Sequence, residues 1–295
     1  MVDLEAVRDS LVKVALEAGN LIREKTGKVE FDDKKNAIDL VTEIDKAVEA
    51  LVSSSLRDQF PDYEFMGEES YVPGQTVLTD APTFIVDPID GTTNFVHGFP
   101  FSCISLGFAI DKRPAVGVVH NPSTGDMYTA IKGKGAYLVK GATVHHQGKP
   151  EPVKLPIVKP QKLTLKGSLI AVEWGVDRAG NNFQVKTDTF KSLAAEEGDG
   201  GAFVQGFRSM GSAALNICNV AAGLVDSYWE GGCYAWDVCA GWIILEEAGG
   251  RMVSGNAGEW DPAVDSRVYF AVRGGESSDQ YIKDFWSHIK GTLEY

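Results

Sequence analysis

Apolar residues recur three and four positions apart in the first part of the chain. Leu, Val, Ala and Ile occupy such positions from residue 4 to residue 22, which predicts an amphipathic helix ending near Gly27. A second stripe of the same kind runs through residues 42–60, with Thr42 as its predicted N-cap and Pro61 as its end. The pattern therefore predicts two consecutive helices.

The pattern changes after the second helix. Short β-rich runs at residues 84–86, 103–110, 115–119 and 127–130 are separated by Pro, Gly and Asn, which predicts an antiparallel meander. A polar, proline-containing connector follows at residues 140–166. Beyond it, residues 168–172 and 225–229 are typical of strands, residues 211–222 and 236–248 of helices, and residues 196–201 of a flexible surface loop. The expected halves are residues 1–145 and 146–295.

The composition indicates where the protein is found in the cell and whether its cysteines are reduced. The chain has 295 residues, is 44% hydrophobic, and contains no apolar run near the roughly 20 residues that cross a bilayer. Residues 1–23 resemble an amphipathic helix rather than a signal peptide, so we expect a soluble, cytoplasmic protein with no membrane partner. Four cysteines without CxxC spacing predict reduced core thiols rather than disulfides or a zinc site.

Charge restricts the partners further. The formal net charge is -13 and no basic patch stands out, which argues against nucleic acid. An acidic protein that handles a phosphorylated substrate needs bound cations to reverse the sign of its site, and its own carboxylates are the natural ligands.

The segment Asp87-Pro88-Ile89-Asp90-Gly91-Thr92-Thr93-Asn94-Phe95 follows the apolar run 84–86 directly. It places two carboxylates three residues apart at a predicted strand end, with a proline-stiffened turn and a glycine that permits close ligand approach. If Thr92 begins a helix, the free N–H groups of residues 91–93 would form a phosphate cradle. The alternative is an Asp-Gly turn in which Asp87 is only a cap.

Two further acidic segments are ambiguous when taken alone. Gly67-Glu68-Glu69-Ser70 follows a short apolar pair, and a solvated charge pair is its simple interpretation. Trp236-Asp237 begins a predicted helix, where ordinary N-capping is the alternative.

Taken in order, these three segments resemble the signature of the inositol monophosphatase family. The resemblance continues through residues 39–45, residues 206–214 and Glu230, and covers about residues 5–275. It implies an α/β fold, a layered α/β/α/β/α sandwich of the fructose-1,6-bisphosphatase type. It also implies a Mg2+-dependent, lithium-sensitive phosphomonoesterase that works as a homodimer.

The resemblance assigns roles by position. Glu68, Asp87 and the backbone carbonyl of Ile89 would hold one Mg2+; Asp87, Asp90 and Asp237 would hold another, with two or three ions per active site. The implied catalytic residues are Glu68 and Thr92, the latter hydrogen-bonded to Asp45, and they would act on a water activated by two metals. The implied substrate-binding residues are Glu68, Asp90, Gly91, Thr92, Gly211, Ser212, Ala213, Glu230 and Asp237.

The expected reaction is hydrolysis of myo-inositol monophosphate to inositol and phosphate. Histidinol phosphate, sugar phosphates and 3'-phosphoadenosine 5'-phosphate are alternative substrates, although the short spacing between Glu69 and Ile89 favours the inositol ester. A metal-binding scaffold without turnover is the alternative of a different class.

The remaining candidates are one departure from the family pattern, one basic position and three histidines. Val176 replaces a small polar residue common in the family, and either Lys34 or Lys35 matches a basic position that reaches toward phosphate. His97 is interpreted as a loop or supporting residue, and His145 and His146 as solvated surface.

Overall fold

The computed structural model describes residues 2–26, 32–33, 40–41, 43–142, 151–159 and 161–295. Its helices are α1 (Leu4–Lys25), α2 (Glu43–Gln59), α3 (Thr92–His97), α4 (Gly180–Ala194), α5 (Ala213–Ala222), α6 (Ala235–Glu247) and α7 (Ser278–His288), and a 3-10 turn spans Glu197–Asp199. Its strands are β1 (Asp32–Asp33), β2 (Leu40–Val41), β3 (Glu64–Gly67), β4 (Thr83–Asp90), β5 (Cys103–Ile110), β6 (Arg113–Asn121), β7 (Asp126–Ile131), β8 (Gly135–Val139), β9 (Val153–Lys154), β10 (Leu169–Val172), β11 (Gly206–Arg208), β12 (Ser227–Gly231), β13 (Arg251–Ser254) and β14 (Val268–Val272).

Two large sheets organise these elements. The first has seven strands in the order β3-β4-β5-β6-β7-β8-β9, antiparallel except for the parallel pair β3 and β4. The second has five strands in the order β11-β10-β12-β14-β13, with β10 parallel to both of its neighbours and β14 antiparallel to both of its own.

Three hydrophobic clusters show how the layers stack. One lies between α1, α2 and the outer face of the seven-stranded sheet. The largest lies between the two sheets and contains the apolar residues of α5 and α6. The third covers the other face of the five-stranded sheet and is closed by α4 and α7. The result is the α/β/α/β/α sandwich predicted from the sequence.

Glycines allow α6 to lie directly on the seven-stranded sheet. A Cβ atom at Gly117 of β6 would lie 2.3 Å from the carbonyl oxygen of Ala240, and one at Gly107 of β5 would lie 2.6 Å from Sγ of Cys239. Real Cβ atoms do not approach other atoms so closely, so these positions exclude larger residues. This close packing fixes the height of α6, and therefore of Asp237 in its first turn, above the sheet.

Most of the predicted elements are confirmed. The two long helices, the antiparallel meander, and the later strands and helices lie within a few residues of their predicted ranges. Residues 196–201 include an exposed 3-10 turn. The sequence did not predict α4 and α7. Some predictions fall outside the described residues: the N-cap Thr42, the boundary between residues 145 and 146, and the roles of Lys34, Lys35, His145 and His146.

Two smaller predictions can also be compared with the structure. All four cysteines are buried and free, as expected for core thiols. Among the described residues, no helix is both long and apolar enough to cross a membrane.

We expect Gly117→Ala to lower the free energy of unfolding by about 1–3 kcal/mol, because its Cβ would overlap the backbone of α6. Thermal unfolding monitored by circular dichroism measures the change. Gly198→Ala is the matched control, since a Cβ atom at Gly198 would meet nothing within 4 Å. Equal midpoints for the two variants would contradict this account of how α6 packs.

Candidate metal centre and active site

Strand β4 delivers the first two carboxylates of the site. Alternation along the strand places Asp87 on the same face as Ile85, which packs in the central cluster beside α6. The register then shifts, because Asp87 pairs with Ser105 and Asp90 with Cys103, so three steps on β4 match two on β5. This bulge brings Asp90 to the same end of the strand as Asp87.

The turn after β4 requires glycine. Gly91 has φ +86° and is the N-cap of α3, and a Cβ atom there would lie 2.9 Å from the carbonyl oxygen of Gly211. Thr92 is the first residue of α3, as expected, and its hydroxyl donates to the carbonyl of Ile89 at 3.1 Å. The predicted phosphate cradle of residues 91–93 and the hydrogen bond from Thr92 to Asp45 stay predictions.

Asp90 is held at the N-terminus of α5. Its carboxylate accepts hydrogen bonds from the Ser212 hydroxyl at 2.5 Å, from Ala214 N at 2.7 Å and from Ala213 N at 3.3 Å. These donors are the unpaired groups of the first helical turn, so the helix end stabilises the negative charge of Asp90. The sequence predicted that Ser212 and Ala213 bind substrate. The structure shows that both donate hydrogen bonds to the side chain of Asp90.

Asp237 approaches from α6. Its carboxylate accepts from Tyr234 N at 2.6 Å, so it does cap the helix, as the simple interpretation of its position suggested. It also meets β4: ligand atoms of Asp87, Asp90 and Asp237 all lie within 4.8 Å of one another. Asp237 therefore both caps α6 and belongs to the acidic cluster.

Glu68 follows β3, and its backbone N–H donates to Val86 of β4 at 3.1 Å. The turn is held from behind by Glu49 of α2, which is 5% exposed and accepts from Glu69 N at 2.7 Å. Gly67 permits this approach, because a Cβ atom there would lie 2.4 Å from Oε2 of Glu49. Glu68 is thus part of a built turn rather than of a solvated charge pair.

Burial and mutual repulsion dominate the electrostatics of this cluster. Burial, followed by the charges of Asp237, Asp45 and Glu69, holds the pKa of Glu68 well above its usual range. Burial, followed by the charges of Glu68, Asp90 and Asp237, does the same to the pKa of Asp87.

The pKa values of Asp90 and Asp237 are raised as well. Burial and the charge of Asp237 raise the pKa of Asp90 to about 7, although the Ser212 and α5 donors oppose the shift. Burial also raises the pKa of Asp237, against its hydrogen bond from Tyr234. The site as a whole favours the binding of positive charge.

The residues present fit a hard divalent cation. Within the part of the chain that the structure describes, Oδ1 of Asp87 is buried and has no hydrogen-bond partner. Such an atom is costly to bury unless something positive binds it. Oxygen ligands, closely spaced carboxylates and this unsatisfied lone pair are the donor set that Mg2+ or Ca2+ takes.

Comparison with known proteins agrees with this geometry. The family model described as the inositol monophosphatase family matches residues 3–290. Inositol monophosphatase 2 of Saccharomyces cerevisiae is 48% identical over 301 residues, which cover 99% of this chain and 98% of the yeast protein. Inositol monophosphatase 1 of the same yeast is 46% identical over 304 residues, covering 100% of this chain and 99% of its own.

The chain belongs to the inositol monophosphatase family. The solved structure of inositol monophosphatase from Anabaena (Nostoc) sp. PCC 7120 superimposes with a TM-score of 0.75 at 29% identity and covers 98% of each chain. Membership confirms the predicted fold and the predicted enzyme class, a phosphoric monoester hydrolase.

Other residues implied by the family surround this cluster. Asp45 is buried in the first turn of α2, and its charge contributes to the raised pKa of Glu68. Glu230 lies in β12, where the hydroxyl of Tyr228 donates to its carboxylate. Burial, followed by the charge of Glu173, raises the pKa of Glu230 to about 8. Exposed His97 ends α3.

Glu173 is a supporting residue that sequence reasoning did not identify. Its buried carboxylate accepts four hydrogen bonds: from Ser209 Oγ, Met210 N, Gly211 N and Asn216 Nδ2, at 2.8, 2.6, 2.8 and 2.8 Å. It therefore fixes the loop that leads into α5, whose first turn holds Asp90. Glu173 begins the Glu-x-Gly pattern that precedes Val176, but the sequence indicated no role for it, because its partners lie about 40 residues away in the chain.

Asn94 supports the same loop from the other side. Its side-chain amide donates to the carbonyls of Phe101 and Met210 at 2.8 and 2.6 Å. Glu173 thus holds the N–H groups of the loop before α5, and Asn94 holds the carbonyl of Met210 in the same loop.

Replacing Glu173 with Ala should lower kcat/KM for phosphate ester hydrolysis by about 30- to 100-fold, because the loop donors would lose their acceptor. Glu173→Gln is the matched variant: its amide carbonyl replaces Oε1, and the Ser209 hydroxyl can rotate to accept. We expect the Gln variant to stay within about fivefold of wild type. Equal losses in both variants would show that the hydrogen-bond pattern is not what matters.

Proposed function

We propose that this chain hydrolyses myo-inositol monophosphate to inositol and phosphate with Mg2+ as its cofactor. The observation that carries the proposal is the meeting of Asp87, Asp90 and Asp237 within 4.8 Å, with a buried, unpartnered oxygen on Asp87. The names of the yeast relatives support the inositol ester as substrate.

The proposed metal ligands are Glu68, Asp87, the Ile89 carbonyl, Asp90 and Asp237, and they would hold two or three Mg2+ ions. Bound Mg2+ would supply charge neutralisation over the phosphoryl oxygens, a lowered pKa for the attacking water and stabilisation of the leaving alkoxide. The bulge in β4 and the N-termini of α5 and α6 would set the relative positions of these ligands.

The protein's own groups would orient the nucleophile. Glu68 would accept the proton of the attacking water, and Thr92 Oγ1, whose position is set by the Ile89 carbonyl, would direct a lone pair toward it. Asp45 would support this pair from α2. No covalent intermediate is needed, because an in-line water displaces the alcohol directly.

The predicted cradle of residues 91–93 at the start of α3 would bind the phosphate group, and the N-terminus of α5 would face the substrate alcohol. Gly211 N is already bonded to Glu173 at 2.8 Å, whereas Ala213 N makes a long bond of 3.3 Å to Asp90. Of these two amides, the N–H of Ala213 is therefore the better placed to be shared with a hydroxyl of the substrate. Glu230 would receive the polyol, since one carboxylate can accept from two vicinal hydroxyls.

Several broader properties belong to the same proposal. We propose a cytoplasmic homodimer that lithium inhibits, as the family resemblance implies. The halves 1–145 and 146–295 each supply part of the site: Glu68, Asp87 and Asp90 come from the first, and Glu230 and Asp237 from the second.

Phosphate release from a panel of esters tests the function. The panel contains inositol 1-phosphate, fructose 1,6-bisphosphate, 3'-phosphoadenosine 5'-phosphate and histidinol phosphate, each with Mg2+ and with EDTA. We expect Mg2+-dependent release that is fastest from inositol 1-phosphate. Preference for another ester would change the substrate assignment, and no release from any ester would favour the scaffold without turnover.

Asp90→Asn is the matched variant for this panel. The neutral amide keeps an acceptor for the α5 donors but removes the charge of one proposed metal ligand. We expect turnover to fall by at least about 100-fold while circular dichroism stays unchanged. Wild-type turnover in Asp90→Asn would exclude the proposed arrangement.

Mg2+ binding can also be measured without turnover. Saturating Mg2+ should stabilise the wild-type protein by about 2.7 kcal/mol at a concentration of 100 times Kd. Asp87→Asn should raise the thermal midpoint in EDTA, because it removes one of the repelling charges, and should largely abolish the gain from Mg2+. Asp58→Asn, a change on the exposed face of α2, is the control and should keep the wild-type response.

A further inference from the structure

Residues 291–295, here called the strap, lie across α4 and are fixed by side-chain amides on both sides. Asn182 donates to the carbonyl of Glu294 at 2.8 Å and accepts from its N–H at 2.9 Å. Asn256 makes the same pair of bonds with Leu293, at 2.9 and 2.8 Å. Leu293 is 2% exposed in the outer cluster, so the strap is an anchored part of the fold.

The strap places the ring of Tyr295 on the backbone beside Glu230. A Cβ atom at Gly231 would lie 2.7 Å from Cε2 of Tyr295, and one at Gly232 would lie 3.1 Å from Cε1. The ring therefore lies against two consecutive glycines that directly follow Glu230 in the chain. Any larger residue at Gly231 would push the ring away.

A buried lysine joins Tyr295 to the same place. Lys186 Nζ donates to the carbonyls of Trp174 and Gly231, at 3.0 and 2.9 Å, and lies 5.6 Å from the centre of the Tyr295 ring. A Cβ atom at Gly175 would be 2.9 Å from this Nζ and 3.9 Å from Oε1 of Glu230. The amine of Lys186 thus lies close to Gly175 and to the ring of Tyr295, and Glu230 lies next to Gly175.

Tyr295 is also available to a ligand. It keeps 43% of its surface exposed, and burial, followed by the charge of nearby Asp177 in the loop after Gly175, raises the pKa of its hydroxyl. The neighbouring Val176 is 52% exposed, and its apolar side chain offers no hydrogen bond. A polar and aromatic surface beside Glu230 is therefore supplied from the strap instead.

We propose that Tyr295 forms the outer wall of the alcohol subsite and recognises the ring of a cyclic polyol phosphate. The aromatic face would cover the C–H face of the ring while Glu230 and Asp177 accept its hydroxyls. The proposal rests on the function proposed above, because it assumes that the polyol lies at Glu230.

The test separates binding of the alcohol from binding of phosphate. In Tyr295→Ala, we expect KM for inositol 1-phosphate to rise about tenfold, with kcat within about twofold of wild type. KM for glycerol 2-phosphate, which has no ring, and the Ki of inorganic phosphate should stay within about twofold. Tyr295→Phe should keep KM close to wild type, because the ring face remains.

Two further variants complete the experiment. Asn182→Ala should raise KM for inositol 1-phosphate in the same direction as Tyr295→Ala, because it removes both bonds that hold Glu294 next to Tyr295. Tyr137→Ala in β8, which is separated from β4 by three strands, is the aromatic control and should change neither KM nor Ki.

The outcomes distinguish the two proposals. An active wild type whose KM for inositol 1-phosphate is unchanged in Tyr295→Ala would overturn the role of Tyr295 alone. A parallel rise in the Ki of phosphate would also overturn it, since the effect would then reach the phosphate site. A wild type without Mg2+-dependent release from any ester would overturn the proposed function, and this inference with it.

Discussion

Gathering mutually repelling carboxylates at one buried point is the constraint on which the rest of the structure depends. Asp87 and Asp90 are almost fully buried, and after burial itself the charges of Glu68, Asp90 and Asp237 raise the pKa of Asp87, while that of Asp237 raises the pKa of Asp90. A cluster of this kind opposes folding unless donors or cations compensate it. The fold provides donors for Asp90 and Asp237 from two helix N-termini, whereas Oδ1 of Asp87 has no hydrogen-bond partner among the residues that the structure describes.

The five-layer architecture makes this compensation possible. Both helix N-termini belong to the layer between the two sheets, so they meet the end of β4 from the same side. Their position depends on close packing, because Gly107 and Gly117 allow α6 to touch the sheet. The relative positions of the clustered carboxylates therefore depend on residues that lie outside the cluster.

Short sequence motifs, together with the family resemblance, predicted the three aspartates that meet at the end of β4, but not the residues that support them. The Asp87 and Asp90 segment, and the acid at the start of α6, are short patterns tied to a strand end and a helix start. Glu49 and Glu173 act through contacts distant in sequence, so no spacing rule identifies them. Helix α4 was not predicted because its buried face includes Lys186 and Thr189, which interrupt the apolar stripe.

The two sides of the active site are built mainly from different elements, with Glu173 as a support next to both, and this has a consequence for specificity. The acidic cluster depends on β4, α5 and α6, whereas the surface beside Glu230 depends on α4, the loop after Gly175 and the strap. Lys186 connects these outer elements through backbone carbonyls rather than through the carboxylates at the end of β4. Substitutions in the strap can therefore change which alcohol is accepted while the ligands of the phosphate side keep their geometry. Such separation allows one hydrolytic centre to serve different phosphate esters, because energetic coupling between sites without shared partners is small.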